Sequence, residues 1–507
     1  MTTLNELAAH LKAELTFGKE RGVSKNTEIP AITDAVTHDS RRVRPGSVFV
    51  AICGAKTDGN LYVEAVLKRG VTAVISDQAR PADFPGAWLK VADARAALAQ
   101  AASLIYGFPT RSLQLVGITG TNGKTTTAHL IAAIFQAANK HSALMGTISQ
   151  RIGSQDVASA FTTPEASDTQ AFMRRALDVG CTHAVMEVSS HALALHRADC
   201  LEFAVTAFTN LTQDHLDLHG TMEAYYEAKR KLFNGDLIAG TGDEAPRRSV
   251  VNLDDAYGQR LVRETVANAL TFALDQPADI TTNETAFDLD GLRFTATTPL
   301  GDIVIDSALV GRPFAYNILC AIGIGIALGF DAKTIATGIN QARGAAGRFE
   351  RCSTTDDDIT VIVDYAHTPD ALTNVLQTVR NAATASEQVI TVMGCGGDRD
   401  KTKRPLMGAA AARLSDWVIV TSDNPRSEDP QTILDDIRPG LDEVGKSFEM
   451  IVDRRAAIFR AITEAQSGAV VMLAGKGHED YQVLATGKIH FDDREVAQEA
   501  LQQRRQR

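Results

Sequence analysis

The chain has 507 residues, 44% of them hydrophobic and 22% charged, and a net charge of −11 from 51 basic and 62 acidic side chains. At roughly 150 residues per domain this length points to about three domains, and the balance excludes a disordered, collagen-like or disulfide-stapled chain. The acidic excess lacks a lysine/arginine stripe, which argues against a nucleic-acid partner, because such binding needs phosphate neutralised. Cys53, Cys181, Cys200, Cys320, Cys352 and Cys395 are scattered without C-x-x-C spacing and read as reduced, mostly core-filling thiols. No window reaches ~18 uninterrupted apolar residues. Met1 to Glu14 carry acids and polar residues where a signal peptide needs a basic patch and an apolar run. A soluble cytoplasmic protein without membrane insertion is the expectation. Arg504-Arg505-Gln506-Arg507 reads as a frayed, solvated tail.

Three blocks follow in chain order, with expected domains 1–109, 110–348 and 349–507. In the first, Ser47 to Ile52 and Val71 to Ile75 read as strands. Between them Tyr62 to Arg69 reads as a helix with Val63, Val66 and Leu67 on one face, so a β-α-β unit with a parallel sheet is predicted. The second block opens on the β-branched run Leu113 to Thr119. A helix from Lys124 to about Asn139 follows, then strands His183 to Val188 and Ala204 to Phe208. Asp279 to Leu309 alternates like antiparallel strands, and a further helix is expected from about Asn317.

Gly117-Ile118-Thr119-Gly120-Thr121-Asn122-Gly123-Lys124-Thr125-Thr126 lies between that strand and helix. Glycines let backbone N–H groups turn toward phosphate oxygens, and the helix N-terminus adds partial positive charge. Lys124 would face the β- and γ-phosphates and the Thr125 hydroxyl could ligate Mg²⁺. The common spacing puts a glycine five residues before Gly123; this chain has Ile118 there. Glu187 ends a strand, where an acid either helps hold Mg²⁺ or forms an ion pair. His215, beside Asp214 and just past another strand, is either a metal ligand or structural.

The third block repeats one device. Apolar runs 359–363, 389–393, 417–420 and 469–473 each end in a polar loop: Asp364 to Pro369, Gly394 to Asp400, Thr421 to Arg426 and Ala474 to Glu479. Ligands of open α/β sheets bind outside the carboxyl ends of parallel strands, so these four ends predict one crevice for a polar, charged ligand.

Gly120 to Thr126, Glu187-Val188-Ser189-Ser190-His191 and Asn210-Leu211 with Asp214-His215 together resemble the Mur ligase superfamily. Asp39 to Ala51, followed by Gly54 and Asp58-Gly59, is similar to the uridine-nucleotide-binding domain of the members that add the third residue or the terminal dipeptide. Asp423-Asn424-Pro425-Arg426, Gly475 to Glu479 and Gly397 to Asp400 resemble the third-residue branch that accepts meso-diaminopimelate. The resemblance implies an α/β protein of three domains: a substrate-binding domain, a central P-loop ATPase-type domain with a mostly parallel sheet, and a Rossmann-like C-terminal domain. It implies an ATP-dependent amide ligase of peptidoglycan precursor synthesis, using ATP and Mg²⁺ and expected to be a monomer.

By the same resemblance, Gly120 to Thr126 with Asn317, Arg348 and Asp364 hold ATP. Thr125, Glu187, His215 and Lys229 (as a carbamate, N6-carboxylysine) support metal. Lys124, His215 and Lys229 serve catalysis; read from sequence alone, Lys229 is an exposed helical lysine. Ser40, Thr162, Thr163, Ser189 and Arg197 grip a UDP-muramoyl dipeptide, and Leu195 departs from the polar residue frequent in relatives. Arg399, Asp423, Asn424, Pro425, Arg426, Gly475 and Glu479 seat diaminopimelate, with Arg426 on its distal carboxylate and Glu479 on its distal ammonium. The competing readings are a lysine-adding ligase, which Arg426 opposes, and a P-loop switch. The second would need a guanine-selective Asn-Lys-x-Asp loop, which the sequence lacks.

Overall fold

The computed structural model describes residues 2–18, 35–54, 57–159, 161–238, 248–264, 269–354, 356–384 and 387–506. They form two compact units, one of residues 1–281, 297–301 and 316–338, the other of 282–296, 302–315 and 339–507. Among the described residues no helix is long and apolar enough to cross a membrane, and the six cysteines are free thiols.

The first unit holds two sheets. The smaller runs Glu14–Phe17, Ala87–Lys90, Ala73–Ser76, Val48–Val50, Val36–Thr37. Its strands are parallel, as predicted, except the edge strand Glu14–Phe17, which is antiparallel and was not foreseen. Alternate residues serve opposite faces. Val48, Val50, Ala73 and Ile75 pack under helices Leu4–Leu11 and Ala94–Ile105, while Phe49, Val74 and Trp88 pack with Val63 and Val66 of helix Val63–Lys68.

The larger sheet has the order Ala269–Phe272, Arg248–Asn252, Val205–Phe208, Gln114–Thr119, His183–Glu187, Ser142–Met145, Ser149–Ile152, Gln155–Ala158. The first six strands are parallel and the last two antiparallel. Gln114–Thr119 is thus a central strand, level with its neighbours: Glu187 pairs opposite Ile118 and Phe208 opposite Thr119. Helix Lys124–Ala137 buries Leu130, Ile131, Ile134 and Phe135. The helix expected from Asn317 begins five residues earlier, as Arg312–Ala327, because Pro313 fits the first turn, where its missing N–H costs nothing. In the 279–309 region Ala286–Asp288 pairs antiparallel with Gly291–Thr298.

The second unit is built on the sheet Glu350–Arg351, Thr360–Asp364, Val470–Ala474, Val389–Met393, Trp417–Val420, Phe448–Met450. All but the edge strand Glu350–Arg351 are parallel. Both faces are covered, so its strands are near-continuous apolar runs. Ile362, Val389, Met393 and Met472 pack on one side with Leu376, Leu434 and Ile437; Val361, Val363, Val392 and Leu473 pack on the other with Ile458, Ile462 and Leu501. The mixed α/β, mostly parallel expectation holds. The solvated-tail expectation does not: Arg504 and Arg505 end helix Asp493–Arg505 and pair with Asp358 and Asp357 at 2.7 and 2.6 Å. Arg507 lies outside the described residues.

Candidate active site

The phosphate loop leaves the central strand between two others whose ends also carry polar groups. Gly120 has φ +151° and Gly123 φ +86°; a Cβ would run into the Thr209 hydroxyl at the first and the Asn317 side-chain oxygen at the second. Glycine is therefore required at both, and Asn317 is placed against the loop. The loop is fixed from the neighbouring strand end: Thr121 N–H donates to the Asn210 carbonyl (2.9 Å), Asn122 N–H to Asn210 Oδ1 (2.9 Å) and the Thr209 hydroxyl to the Asn122 carbonyl (2.6 Å). Helix Lys124–Ala137 starts from Gly123 with no side-chain cap, which leaves its first-turn N–H groups suited to an anion. Lys124 Nζ donates to the carbonyls of Gly120 and Thr121, both at 2.8 Å.

On the other flank, buried Glu187 accepts from the Thr125 hydroxyl (2.9 Å), the Thr147 N–H (2.7 Å) and the Thr147 hydroxyl (3.0 Å). No ion pair involves Glu187 among the described residues. A buried carboxylate held by neutral donors, with a threonine hydroxyl touching it, is a donor set that fits a hard divalent cation. Thr147 was missed in the sequence. Its signal is Gly146, where a Cβ would lie 2.5 Å from Glu187 Oε1. Among the described residues no three His, Cys, Asp or Glu side chains converge as metal ligands, so a metal here needs hydroxyl oxygens and a further anionic donor.

Lys229 supplies a candidate for that donor. It lies in helix Met222–Arg230 on the buried face with Tyr225 and Tyr226, is 1% exposed, and donates from Nζ to the Gly120 carbonyl at 2.9 Å. The exposed-lysine reading is thereby corrected: residues 225, 226 and 229 share one helix face. Burial, then the Lys124 charge, pushes the Lys229 pKa well below its usual value. His215 has φ +52°, pairs with Asp214 at 3.3 Å and lies edge-on to His191 at 4.7 Å. Burial lowers its pKa, with Lys124 and Lys229 adding to the effect and Asp214 opposing it.

Thr162, Thr163, Ser189 and Arg197 adjoin this cluster. Thr162 meets the Thr147 hydroxyl at 3.1 Å. The Thr163 hydroxyl donates to the Glu187 carbonyl (2.9 Å) and accepts from Ser189 N–H (3.1 Å), and Arg197 reaches the Thr163 carbonyl (3.3 Å) while pairing with Glu165 (2.7 Å). Leu195 ends the short helix Ser190–Ala194. Ser40 opens the 3-10 turn Ser40–Arg42, with no hydrogen bond to these residues.

In the second unit the four polar strand ends are neighbours, in the order Thr360–Asp364, Val470–Ala474, Val389–Met393, Trp417–Val420, with Asp364 opposite Ala474 and Met393 opposite Val420. Asp364 accepts from Phe349 N–H (2.7 Å) and Ala366 N–H (2.8 Å); burial raises its pKa, and the Arg348 charge opposes this. Arg348 lies 4.8 Å over the Tyr365 ring. Asp423, Asn424 and Pro425 are buried. Arg426 has φ +54° and donates to the carbonyls of Gly397 (2.8 Å) and Asn424 (3.3 Å). Asn424 Nδ2 donates to Glu479 (2.9 Å), and a Cβ at Gly475, φ +116°, would lie 2.7 Å from Asp423 Oδ2. Arg399 stands apart: it is exposed, and among the described residues its guanidinium donates to the Asp398 carbonyl alone (3.0 Å).

Two buried arginines brace these loops, and neither was foreseen. Arg404 pairs with Glu428 (2.9 Å) and Asp436 (2.7 Å) and reaches the Gly396 carbonyl (3.2 Å). Arg454 forms a fully buried fork with Asp493 (2.7 and 2.6 Å) and reaches the carbonyls of Ala474 (3.2 Å) and Ser422 (3.5 Å), each just before a candidate site residue, Gly475 and Asp423.

Three Mur ligase families match along the chain: "Mur ligase family, catalytic domain" over 33–106, "Mur ligase middle domain" over 118–325, and "Mur ligase, glutamate ligase domain" over 347–477. A UDP-N-acetylmuramoyl-L-alanyl-D-glutamate–2,6-diaminopimelate ligase of Gloeobacter violaceus is 46% identical over 92% of this chain and 94% of its own length. This chain belongs to the Mur ligase family. The ligase of the same name from Syntrophomonas wolfei is 42% identical over 98% of this chain and 99% of its own. A solved structure bearing that name shares 33% identity, covers 95% of this chain and 98% of its own, and has a TM-score of 0.69. MurF from Thermotoga maritima in complex with ADP, 18% identical at a TM-score of 0.61, covers 93% of this chain and 98% of its own and shares the fold.

Proposed function

We propose that this Mur ligase adds meso-2,6-diaminopimelate to UDP-N-acetylmuramoyl-L-alanyl-D-glutamate at the expense of ATP. The observation that carries the reading is the meeting of the loop Asp423 to Arg426 with Gly475 and Glu479 in one largely buried polar cluster, at the ends of two strands that flank Val389–Met393. Residues 1–109 would serve the uridine end of the substrate, 110–348 the ATP and 349–507 the amino acid. Ser40, Thr162, Thr163, Ser189 and Arg197 would contact the UDP substrate.

A carboxylate is a poor electrophile because its oxygen is a poor leaving group. The γ-phosphoryl of ATP passes to the D-glutamyl carboxylate, ADP departs, and the amine attacks the resulting acyl phosphate; phosphate leaves and the amine loses a proton. Such transfer is mostly positioning and charge stabilisation. The Gly120 to Thr126 backbone would hold the phosphates, and the Lys124 ammonium would offset the repulsion between triphosphate and carboxylate. Two Mg²⁺ ions, one held by Thr125 and Glu187 and a second to which His215 would contribute, with the Lys229 carbamate in support, would supply further charge neutralisation. Asn317, Arg348 and Asp364 would complete nucleotide binding.

Diaminopimelate differs from lysine by a distal carboxylate, which the planar Arg426 fork can bind bidentately. Asn424 would be the hydrogen-bonding companion of Arg426, Glu479 would accept from the distal ammonium with the Gly475 backbone close by, and Arg399 would hold the other carboxylate. ATP consumption with the UDP-dipeptide is expected with diaminopimelate, and at a tenth of that rate or less with lysine or D-alanyl-D-alanine. Arg426→Ala should raise KM for diaminopimelate by about 10- to 100-fold, the loss of a charged hydrogen-bond partner, and leave KM for ATP within twofold. Preference for lysine by the unaltered enzyme would refute the reading.

A further inference from the structure

Lys476 is buried inside the same loops, apart from the residues assigned to diaminopimelate. Its side chain is 0% exposed, and Nζ lies 3.2 Å from Glu479 Oε2, 3.5 Å from Asn424 Oδ1 and 5.5 Å from the centre of the Tyr481 ring. Glu479 Oε2 also accepts from Asn424 Nδ2 at 2.9 Å, and Asn424 Oδ1 accepts from Val483 N–H at 2.9 Å. The cluster is layered: the ammonium is sealed beneath, and the Glu479 carboxylate, 15% exposed, is its outward part. A buried ammonium is costly unless paired, and the pairing here commits part of Glu479 to Lys476 before any ligand contacts it.

The charges can be counted from these loops. Asp423 and Glu479 are acids, Arg426 and Lys476 bases, so the four side chains sum to zero. The distal end of diaminopimelate, an ammonium beside a carboxylate, also sums to zero, whereas the distal end of lysine is a lone cation. A cation approaching Glu479 shares that carboxylate with Lys476 at a few ångströms, where like charges in a partly desolvated site repel strongly. We propose that Lys476 is a specificity-determining residue, which fixes Glu479 and brings the side chains around the distal end of the amino acid to zero charge, so that the site rejects an amino acid whose distal ammonium lacks its own carboxylate.

The inference rests on the reading of these loops as the diaminopimelate pocket, and the test separates the two. Steady-state kcat/KM is measured with diaminopimelate and with lysine for the wild type, Lys476→Met and Lys476→Arg, together with KM for ATP and thermal melting. In Lys476→Met the diaminopimelate-to-lysine ratio should fall at least tenfold with KM for ATP within twofold, and Lys476→Arg should keep the wild-type ratio. A purely structural lysine would lower both substrates alike, and an unchanged ratio in a folded Lys476→Met protein overturns the proposal. If Lys476→Met fails to melt cooperatively, Glu479→Gln gives the converse. That pocket gains positive charge, so the ratio should rise at least tenfold, and an unchanged or falling ratio again overturns it. Wild-type protein inactive with diaminopimelate would instead refute the underlying function.

Discussion

Lys229 and Lys124 both donate to the Gly120 carbonyl, at 2.9 and 2.8 Å. Two ammonium groups on one acceptor, one of them in a buried setting, favour loss of a proton from the more enclosed, and Lys229 is the one driven well below its usual pKa. A neutral amine is the form that takes up CO₂, so the environment suits a carbamate. Lys229→Ala should lower turnover by at least a hundredfold, and added bicarbonate should not restore it; ¹³C NMR of wild type in labelled bicarbonate should show a carbamate resonance that the variant lacks. A fully active variant would refute the carbamate. At this scale the sequence was uneven: Gly120 and Gly123 announced their roles through the strand–glycine–helix pattern, whereas Lys229 drew its role only from the family resemblance, because Glu223, Glu227 and Arg230 on its helix conceal the burial that gives the role a physical basis.

The strand ends were legible at the scale of elements, because a doubly covered parallel sheet writes its strands as apolar runs that stop abruptly at polar loops. Val389–Met393 and Trp417–Val420 fall on their predicted bounds. The braces behind the loops were not legible, since partners such as Arg454 and Asp493 lie 39 residues apart and no local pattern joins them. Their pairing makes a stability prediction. Arg454→Met strands the Asp493 carboxylate in the core and should cost about 3–5 kcal/mol, read by chemical denaturation. Adding Asp493→Leu should recover most of that loss. KM for diaminopimelate should stay raised in the double variant, because the Ser422 and Ala474 carbonyls lose their donor.

The acid limb of stability is a property of the whole molecule, and each unit contributes a histidine held neutral. His183, packed against Phe135 at 5.0 Å, and His478 both have pKa values lowered by burial to about 4. In the unfolded chain each titrates near 6.5, so between pH 6.5 and 4 the unfolded state binds protons that the folded state refuses. The share of stability that these two histidines contribute should be flat above pH 6.5 and fall as pH drops toward 4. His183→Gln should remove on the order of 2 kcal/mol of that fall, measured as unfolding free energy at pH 7 and pH 4.5; an unchanged slope would show that His183 is protonated in the fold. The α/β class and the parallel sheets followed from the strand–helix alternation, whereas the antiparallel edges at Glu14–Phe17 and Glu350–Arg351 escaped it because each is too short to show a period.

Gly397 lies so close to the Pro425 carbonyl that a Cβ would overlap it, and a Cβ on Gly396 would stand 2.9 Å from Arg426 Nη1. Backbone thus meets backbone where the two loops cross. Anyone wishing to retarget this enzyme to another amino acid should therefore transplant 394–400 and 423–426 together as a single cassette, since a graft of either alone would inherit a collision from its untouched counterpart.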